Sequence, residues 1–305
     1  MFKASKTSLV LARRVSCLVS HKSDSGLTLL AVECGSITAL AVSADHTTIA
    51  GGHSQGHIFT WELAKPARPF LSIPPVSSSV LEQHKVDGHI EGVSVLHLGF
   101  LGTRHTALVS ADGHGMAFSH LATRGLGALV RIVKTARILG RYSFDLLASG
   151  RPRKPSSVLA FAPLLLGSSV QATDSMGLVA ILTPYLLVVI STTPVAQTQH
   201  KASRPKEVAH DKALSGCVAW FPSMKLKESS VNPDVPPKSS KTKLAYSWSN
   251  VLTILELSTA EPGPSEDPNR PPVLQFRAKS RWECDEAIVA VQWISRQVVG
   301  PCCSN

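Results

Sequence analysis

Aromatic and charged residues are both scarce in this sequence. Phe, Trp and Tyr make up 6% of the chain, which argues against a binding cage built from aromatic rings. Charged residues at 17% beside hydrophobic residues at 44% exclude a wholly disordered chain. The six cysteines show no C-x-x-C pair and no regular spacing, so neither a zinc ribbon nor a disulfide framework is supported. A reducing compartment fits this cysteine usage best.

Motifs for nucleotide and metal chemistry are missing as well. No G-x-x-x-x-G-K-[ST] phosphate loop occurs, and Gly125-Leu-Gly127 lacks the rest of the dinucleotide fingerprint. His53 and His57 have H-x-x-x-H spacing, but the surrounding glycines place them on a turn and a strand start, with no further ligand nearby. We therefore predict no cofactor and no metal site.

The segment Ser175–His200 contains no Asp, Glu, Lys or Arg and is long enough to cross a bilayer. However, Pro184 divides it into two strand-sized runs that are rich in β-branched residues. Two buried strands joined by a tight turn are therefore favoured over a transmembrane helix.

Short apolar runs bounded by Gly, Ser, Asp or Pro fill most of the rest of the chain. This pattern is typical of many short strands in a sandwich, barrel or propeller. Three segments dense in Pro, Ser and charge, 64–85, 225–242 and 258–272, are predicted as loop insertions.

Repetition favours the propeller. The clearest unit, Gly35–Leu63, predicts strands at Ile37–Val42, Thr47–Gly51 and His57–Leu63, with turns at 43–46 and 52–56. This is most of a WD-repeat blade, with Trp61-Glu62 at the position where the repeat closes in Trp-Asp.

A second copy begins with the Gly-His pair of Asp87–Ile90 and ends at Leu121. Aligning Leu63 with Leu121 gives a 58-residue period, and the 64–85 insertion accounts for its excess over a usual blade. Weaker copies follow at 169–190, 244–257 and 286–299.

These repeats predict an all-β fold, a WD-repeat-like β-propeller that is incomplete, with about five blades or blade starts over residues 28–299. Residues 1–27 are interpreted as a basic flexible tail or a gene-model artefact, with a mitochondrial transit peptide as the alternative. Residues 300–305 are interpreted as a tail.

Several segments in order resemble one known family. Val32–Leu63, Ser110-Ala-Asp-Gly113, Leu244–Leu255 and Asp285–Arg296 are similar to the vacuolar protein sorting-associated protein 8 family in a fungal version. The resemblance covers roughly Thr28 to Val299. It implies a subunit of the CORVET complex, which tethers early endosomal vesicles and works with an endosomal Rab GTPase and class C vacuolar sorting subunits.

Ser110, Asp112 and His114 supply the residue types of a hydrolytic triad. They lie within five residues on a strand and turn, where they cannot converge on one reacting atom. Asp112-Gly113 is therefore interpreted as a turn dipeptide, and no catalytic residue is predicted.

Basic residues are concentrated between Leu121 and Pro155. Spacing of three to four residues would align four of them on one helix face able to contact an anionic membrane, whereas a strand with solvated charges is the favoured alternative. The candidate contact residues for an acidic partner or a membrane surface are Arg131, Lys134, Arg137, Arg141, Arg151, Arg153 and Lys154.

Together, the pattern and the resemblance predict a non-catalytic interaction scaffold in endosomal vesicle tethering and transport to the vacuole or lysosome. It would be cytoplasmic and peripheral on endosomes or the vacuole, with no small-molecule substrate and no nucleic acid. A nuclear or RNA-associated WD-repeat adaptor is the first alternative. A secreted or periplasmic propeller enzyme is the second, and it would need clustered acids or metal ligands at the central channel, which the sequence does not display.

Overall fold

The structure is a computed structural model. Its described part consists mainly of antiparallel β-sheets, and each four-stranded sheet is called a blade here. The structure describes residues 34–64, 69–83, 86–102, 106–124, 131–142, 156–165, 172–208, 214–223, 241–259, 273–293 and 299–303. The strands within these ranges form four four-stranded sheets and one two-stranded sheet. A short helix, α1 (Ser78–Glu82), and a 3-10 turn (Ala172–Ser175) lie between strands.

The strands follow one another in chain order within every sheet. Blade 1 contains β1 (Ile37–Val42), β2 (Thr48–His53), β3 (Ile58–Glu62) and β4 (Leu71–Ile73). Blade 2 contains β5 (Val95–Phe100), β6 (Ala107–Asp112), β7 (Ala117–Arg124) and β8 (Arg131–Leu139). Blade 3 contains β9 (Ala160–Pro163), β10 (Leu178–Leu182), β11 (Leu186–Ser191) and β12 (Gln197–Ser203). Blade 4 contains β13 (Gly216–Phe221), β14 (Lys243–Trp248), β15 (Val251–Thr259) and β16 (Leu274–Glu283), and the two-stranded sheet contains β17 (Ile288–Trp293) and β18 (Val299–Cys303).

Neighbouring blades pack in sequence order, each first strand lying beside the first strand of the next blade. Apolar side chains fill the space between them, because one sheet cannot bury both of its faces alone. Val109 of blade 2 lies in one core cluster with Val179 and Val188 of blade 3, and Leu187 of blade 3 lies in another with Leu244 and Trp248 of blade 4. The predicted all-β propeller architecture is confirmed.

Glycines allow two of these blade interfaces to close tightly. A Cβ atom on Gly52 of β2 would lie 2.7 Å from Val95 Cγ1 of blade 2, and one on Gly99 of β5 would lie 2.6 Å from Pro163 Cγ of blade 3. Both distances are shorter than a side chain can tolerate. Glycine is therefore required here for close approach between sheets.

The charge-free segment forms two paired strands, as predicted. β10 and β11 run antiparallel, with Leu178 opposite Ser191 and Leu182 opposite Leu187, and Thr183–Tyr185 make the connection. Among the described residues, no helix has the length and apolar character needed to cross a membrane.

The structure differs from the sequence prediction in two segments. The segment 64–85 is not simply a loop insertion, because it contains β4 and α1, and β4 completes blade 1 with Leu71 and Ile73 buried. Residues 300–303 are not a tail, because they belong to β18 and pair with β17. Hydrogen bonds in that pairing satisfy peptide N–H and C=O groups along one edge of β17.

Other predicted segments cannot be compared with the structure. Residues 1–27, 225–240 and 260–272 lie outside the described residues. Within the described part of the two later insertions, residues 241–242 precede β14, and Ser258 and Thr259 belong to β15.

Candidate functional site

The predicted basic segment is a strand. Arg131, Lys134 and Arg137 lie in β8, and Arg141 follows it as an exposed residue. Side chains of a strand alternate between its faces, so Lys134 and Arg137 lie on opposite faces. The favoured prediction, a strand, is what the structure shows, and the alternative of a helix with one basic face is not. The remaining candidates, Arg151, Arg153 and Lys154, lie outside the described residues.

Arg137 is held by Asp87, from the connection between blades 1 and 2, and by Tyr142, which follows β8. Its backbone N–H donates to Asp87 Oδ2 at 3.1 Å, and its Nε lies 3.9 Å from Asp87 Oδ1. Its guanidinium stands 5.0 Å from the centre of the Tyr142 ring. Both charged side chains are about a third exposed, so the ion pair contributes at most about 1 kcal/mol.

Tyr142 anchors this arrangement from the interior. Its hydroxyl donates to the Gly88 carbonyl at 3.2 Å and accepts from the Gly88 N–H at 3.2 Å. Desolvation by burial raises the pKa of Tyr142 to about 12. The phenol therefore stays protonated at neutral pH and fixes the segment carrying Asp87 against blade 2.

Between the outermost strands of blades 1 and 2 lies a cavity of about 600 Å³, here called the inter-blade groove. One wall comes from β4 and α1, and the other comes from β8 with Asp87 and Tyr142. The residues lining it are Ser72, Ile73, Pro74, Val76, Leu81, Val86, Asp87, Val133, Lys134, Thr135, Arg137 and Tyr142. Two of the candidate basic residues, Lys134 and Arg137, thus meet at one concave site.

A second polar constellation lies inside blade 2. His89 Nδ1 is 2.8 Å from Asp112 Oδ2, and His89 Nε2 is 2.7 Å from Ser110 Oγ. Ser110 Oγ is also 2.7 Å from His120 Nε2, whose ring reaches Thr135 Oγ1 on β8 at 3.0 Å. We call these five residues the buried network.

The histidine side chain of the buried network is not the one suggested by the Ser110, Asp112 and His114 triad. His114 takes part only through its backbone N–H, which donates to Asp112 Oδ1 at 3.0 Å. The imidazole that joins Asp112 to Ser110 belongs to His89, from the Gly-His pair that precedes the blade. The Gly-His pair and the Asp-Gly turn were both visible in the sequence, but nothing local indicated that they touch.

The proton arrangement in the network follows from its hydrogen bonds. Asp112 accepts from His89 Nδ1 and from the N–H groups of His114 and Met116, the pattern of a carboxylate. Ser110 Oγ lies between the Nε2 atoms of His89 and His120, and Thr135 Oγ1 lies against Nδ1 of the His120 ring. Desolvation and the neighbouring His89 lower the pKa of His120 to about 3, so this ring is neutral at pH 7.

The buried network resembles a hydrolytic site only in its order of groups. Ser110 is 0% exposed, Asp112 1% and His89 2%, so no substrate reaches the hydroxyl. Both sides of Ser110 Oγ are occupied by histidine nitrogens, which leaves no room for a reacting carbonyl. The network therefore stabilises blade 2 by joining β6, β7, β8 and the incoming segment at His89.

His53 and His57 lie at the end of β2 and just before β3. Both rings contact Phe59, with ring centres 5.2 Å and 5.9 Å away, and His53 Nδ1 is 3.3 Å from the Gly35 carbonyl oxygen. Desolvation lowers the pKa of His53. Across the part of the chain that the structure describes, no three His, Cys, Asp or Glu side chains are grouped so that they could hold a metal ion.

Comparison with known proteins gives one family. The family model described as Vps8 beta-propeller matches residues 16–300. Vacuolar protein sorting-associated protein 8 of Saccharomyces cerevisiae is 20% identical over 271 residues, which are 87% of this chain and 18% of that protein. The chain thus corresponds to only a minor part of this relative.

Two solved structures are also similar. The β-propeller domain of Myceliophteria thermophila Cps50 (Swd1) has a TM-score of 0.43 and 9% identity, over 81% of this chain and 60% of that chain. U3-55K has a TM-score of 0.40 and 11% identity, over 84% and 54%. Because both TM-scores are below 0.5, neither structure bears on the function of this chain.

Proposed function

The chain belongs to the Vps8 beta-propeller family, and from this we propose that it is a non-catalytic scaffold for protein interactions in vesicle tethering. More specifically, it would act in endosomal tethering and transport to the vacuole or lysosome, as part of a CORVET-like complex. The single observation that carries the proposal is the family match over residues 16–300.

The structure supports a scaffold role through the position of its polar groups. The hydrolase-like residues Ser110, His89 and Asp112 are buried and engaged with one another. Stacked blades hold their rims and connecting loops at fixed positions, which suits recognition of folded partners. Recognition would therefore use the outer surface, and chemistry inside the sheets would play no part.

The proposed partners are an endosomal Rab GTPase and the class C vacuolar sorting subunits. The proposed location is the cytoplasmic face of endosomes or the vacuole, where the chain would be held peripherally through those partners. A rigid propeller with a basic outer strand, β8, is compatible with docking onto a protein surface.

A binding measurement with purified components tests this proposal. The 305-residue chain is immobilised, and an endosomal Rab GTPase is passed over it in its GTP-analogue and GDP forms. We expect saturable binding that is tighter for the GTP-analogue form, since tethering has to respond to the active GTPase.

The control is a Rab GTPase of another compartment in the same two nucleotide states. Equal binding of both GTPases, or no binding by a chain whose far-UV circular dichroism shows the expected sheet, would contradict the proposal. A surface variant, Lys201→Glu on β12, changes the net charge at an exposed position. It shows whether altered charge alone changes the binding.

A further inference from the structure

The inter-blade groove runs along the outer edge of β8. Val133, Lys134 and Thr135 are consecutive, and all three line the cavity together with Arg137. Consecutive strand residues point to opposite faces, so a cavity lined by all of them faces the strand's edge and not one of its faces. The groove is therefore closed on one side by the backbone of an outermost strand.

Hydrogen-bond donors of β8 point into this groove. The Arg137 N–H is directed away from β7, because it donates to Asp87 Oδ2 at 3.1 Å. Residues two and four positions earlier share that direction, which places the amides of Thr135 and Val133 on the same outer edge. On the other side, the Ala136 carbonyl accepts from Ser119 Oγ of β7 at 3.4 Å, as the alternation requires.

Within the described residues, β8 pairs with β7 alone. The Asp87 carboxylate takes the place that a carbonyl of an adjoining strand would occupy at Arg137. No other described strand pairs with the edge beyond it, so its donors and acceptors form the kind of template to which an extended peptide adds as a new strand.

The side chains around the groove indicate what the peptide would carry. Its accessible apolar lining includes the half-buried Val76 and the exposed Val86, which suit apolar side chains on one face of an added strand. Lys134 is exposed and forms no ion pair with a described residue, whereas Asp87, the only acid among the described lining residues, is already engaged by Arg137. Within the described residues, Lys134 is therefore a cation without an acidic partner at the groove.

We infer that the inter-blade groove binds an extended acidic segment of a partner protein, which pairs with the outer edge of β8. Its backbone carbonyls accept from Val133 and Thr135, its apolar side chains contact Val76 and Val86, and its carboxylates face Lys134. A lipid surface fits less well, because Lys134 and Arg137 flank a concave edge on opposite faces of the strand.

Fluorescence anisotropy with a labelled peptide tests the inference. The probe is a peptide of roughly ten residues that alternates Glu with Val and Thr, a length typical of one strand. A counterpart with Lys in place of Glu is the second probe. We expect the 305-residue chain to bind the acidic probe and not the basic one, and Lys134→Glu to weaken binding by about tenfold.

Lys201→Glu is the matched control, because Lys201 is an exposed lysine on β12, the outermost strand of blade 3. It should leave the affinity for the acidic probe unchanged. Val133→Pro is the second test variant, since it removes an outward N–H without removing a bond to β7. It should abolish binding while the thermal unfolding midpoint shows that the chain still folds.

Hydrogen exchange identifies the mode of binding. Addition of a strand should slow exchange of the Val133 and Thr135 amides on saturation with the acidic probe. Equal affinity for the two probes, unchanged exchange at these amides, or equal effects of Lys134→Glu and Lys201→Glu would overturn the inference. Loss of binding to vesicles of anionic lipid in Lys134→Glu, without any peptide binding, would overturn it in favour of a membrane contact.

Discussion

Blades 2 and 3 are adjacent and have the same topology, yet their central strands are stabilised differently. In blade 3, every residue of β10 is a buried aliphatic residue, and β11 buries all but its first. In blade 2, β6 is equally buried but carries Ser110 and Asp112, which join the buried network. One blade depends on apolar packing on both faces, and the other also depends on a chain of hydrogen bonds.

The stability of each blade should therefore be sensitive to a different kind of substitution. Apolar packing is non-directional, and its loss scales with the volume removed. A buried chain of hydrogen bonds is cooperative, because removing one member leaves its neighbours unpaired in a medium that cannot solvate them. Blade 2 should therefore respond sharply to polar substitutions and to pH, whereas blade 3 should respond gradually to changes in side-chain volume.

The largest effect is expected from Asp112→Ala. The substitution leaves His89 Nδ1 and the N–H groups of His114 and Met116 without their acceptor. We expect the free energy of unfolding to fall by about 3–5 kcal/mol, measured by urea denaturation followed by circular dichroism.

Asp45→Ala is the matched control in blade 1. Asp45 also accepts hydrogen bonds within a turn, from Ser43 and Thr47, but it is exposed. Its loss should cost no more than about 1 kcal/mol. Equal losses for Asp45→Ala and Asp112→Ala would mean that burial of the network adds nothing to blade 2.

An intermediate effect is expected from pH. Unfolded histidine titrates near pH 6.5, whereas His120 in the folded chain has a pKa of about 3, so the unfolded state binds more protons between these values. Stability therefore decreases as pH falls through this window, and His120 alone should account for about 2 kcal/mol between pH 7 and pH 5.

His120→Phe should remove that share of the pH dependence, as measured by urea denaturation at both pH values. His200 of blade 3 provides the comparison, because desolvation lowers its pKa too but its ring stacks on Phe276 without a network. An identical change in pH dependence for His120→Phe and His200→Phe would contradict the special role of blade 2.

The smallest effect is expected from Ile181→Val in β10. Ile181 is 0% exposed in the core shared by blades 2 and 3, and the change removes one methylene. The free energy of unfolding should fall by about 1 kcal/mol in urea denaturation. Val195→Ala, at a position 66% exposed, should change it by less than about 0.5 kcal/mol, and a larger loss there would show that exposure does not govern the response.

Much of the fold could be predicted from short-range pattern. The predicted strand Ile37–Val42 coincides with β1, and the two strands around Pro184 were separated correctly. Gly52 was misinterpreted as the start of a turn, because glycine is typical of turns. In the structure it continues β2, and its missing side chain admits Val95 of the next blade.

The features that were missed depend on distant partners. β4 has only three residues and is followed by Pro74 and Pro75, so nothing in its own sequence separates it from a loop. The buried network joins residues 89, 110, 112, 120 and 135, and no local pattern indicates that His89 reaches Asp112. The helical alternative for the basic segment failed because spacing of three to four residues also occurs by chance in a strand.

The proposed role of this propeller as an interaction scaffold of vesicle tethering can be tested by affinity purification. The tagged chain is expressed in its own host, cross-linked lightly, and recovered for quantitative mass spectrometry beside the Asp112→Ala variant. We expect class C vacuolar sorting subunits and an endosomal Rab GTPase to be enriched with the unaltered chain and lost with the variant. Enrichment of ribonucleoproteins or nuclear complexes in their place would contradict it.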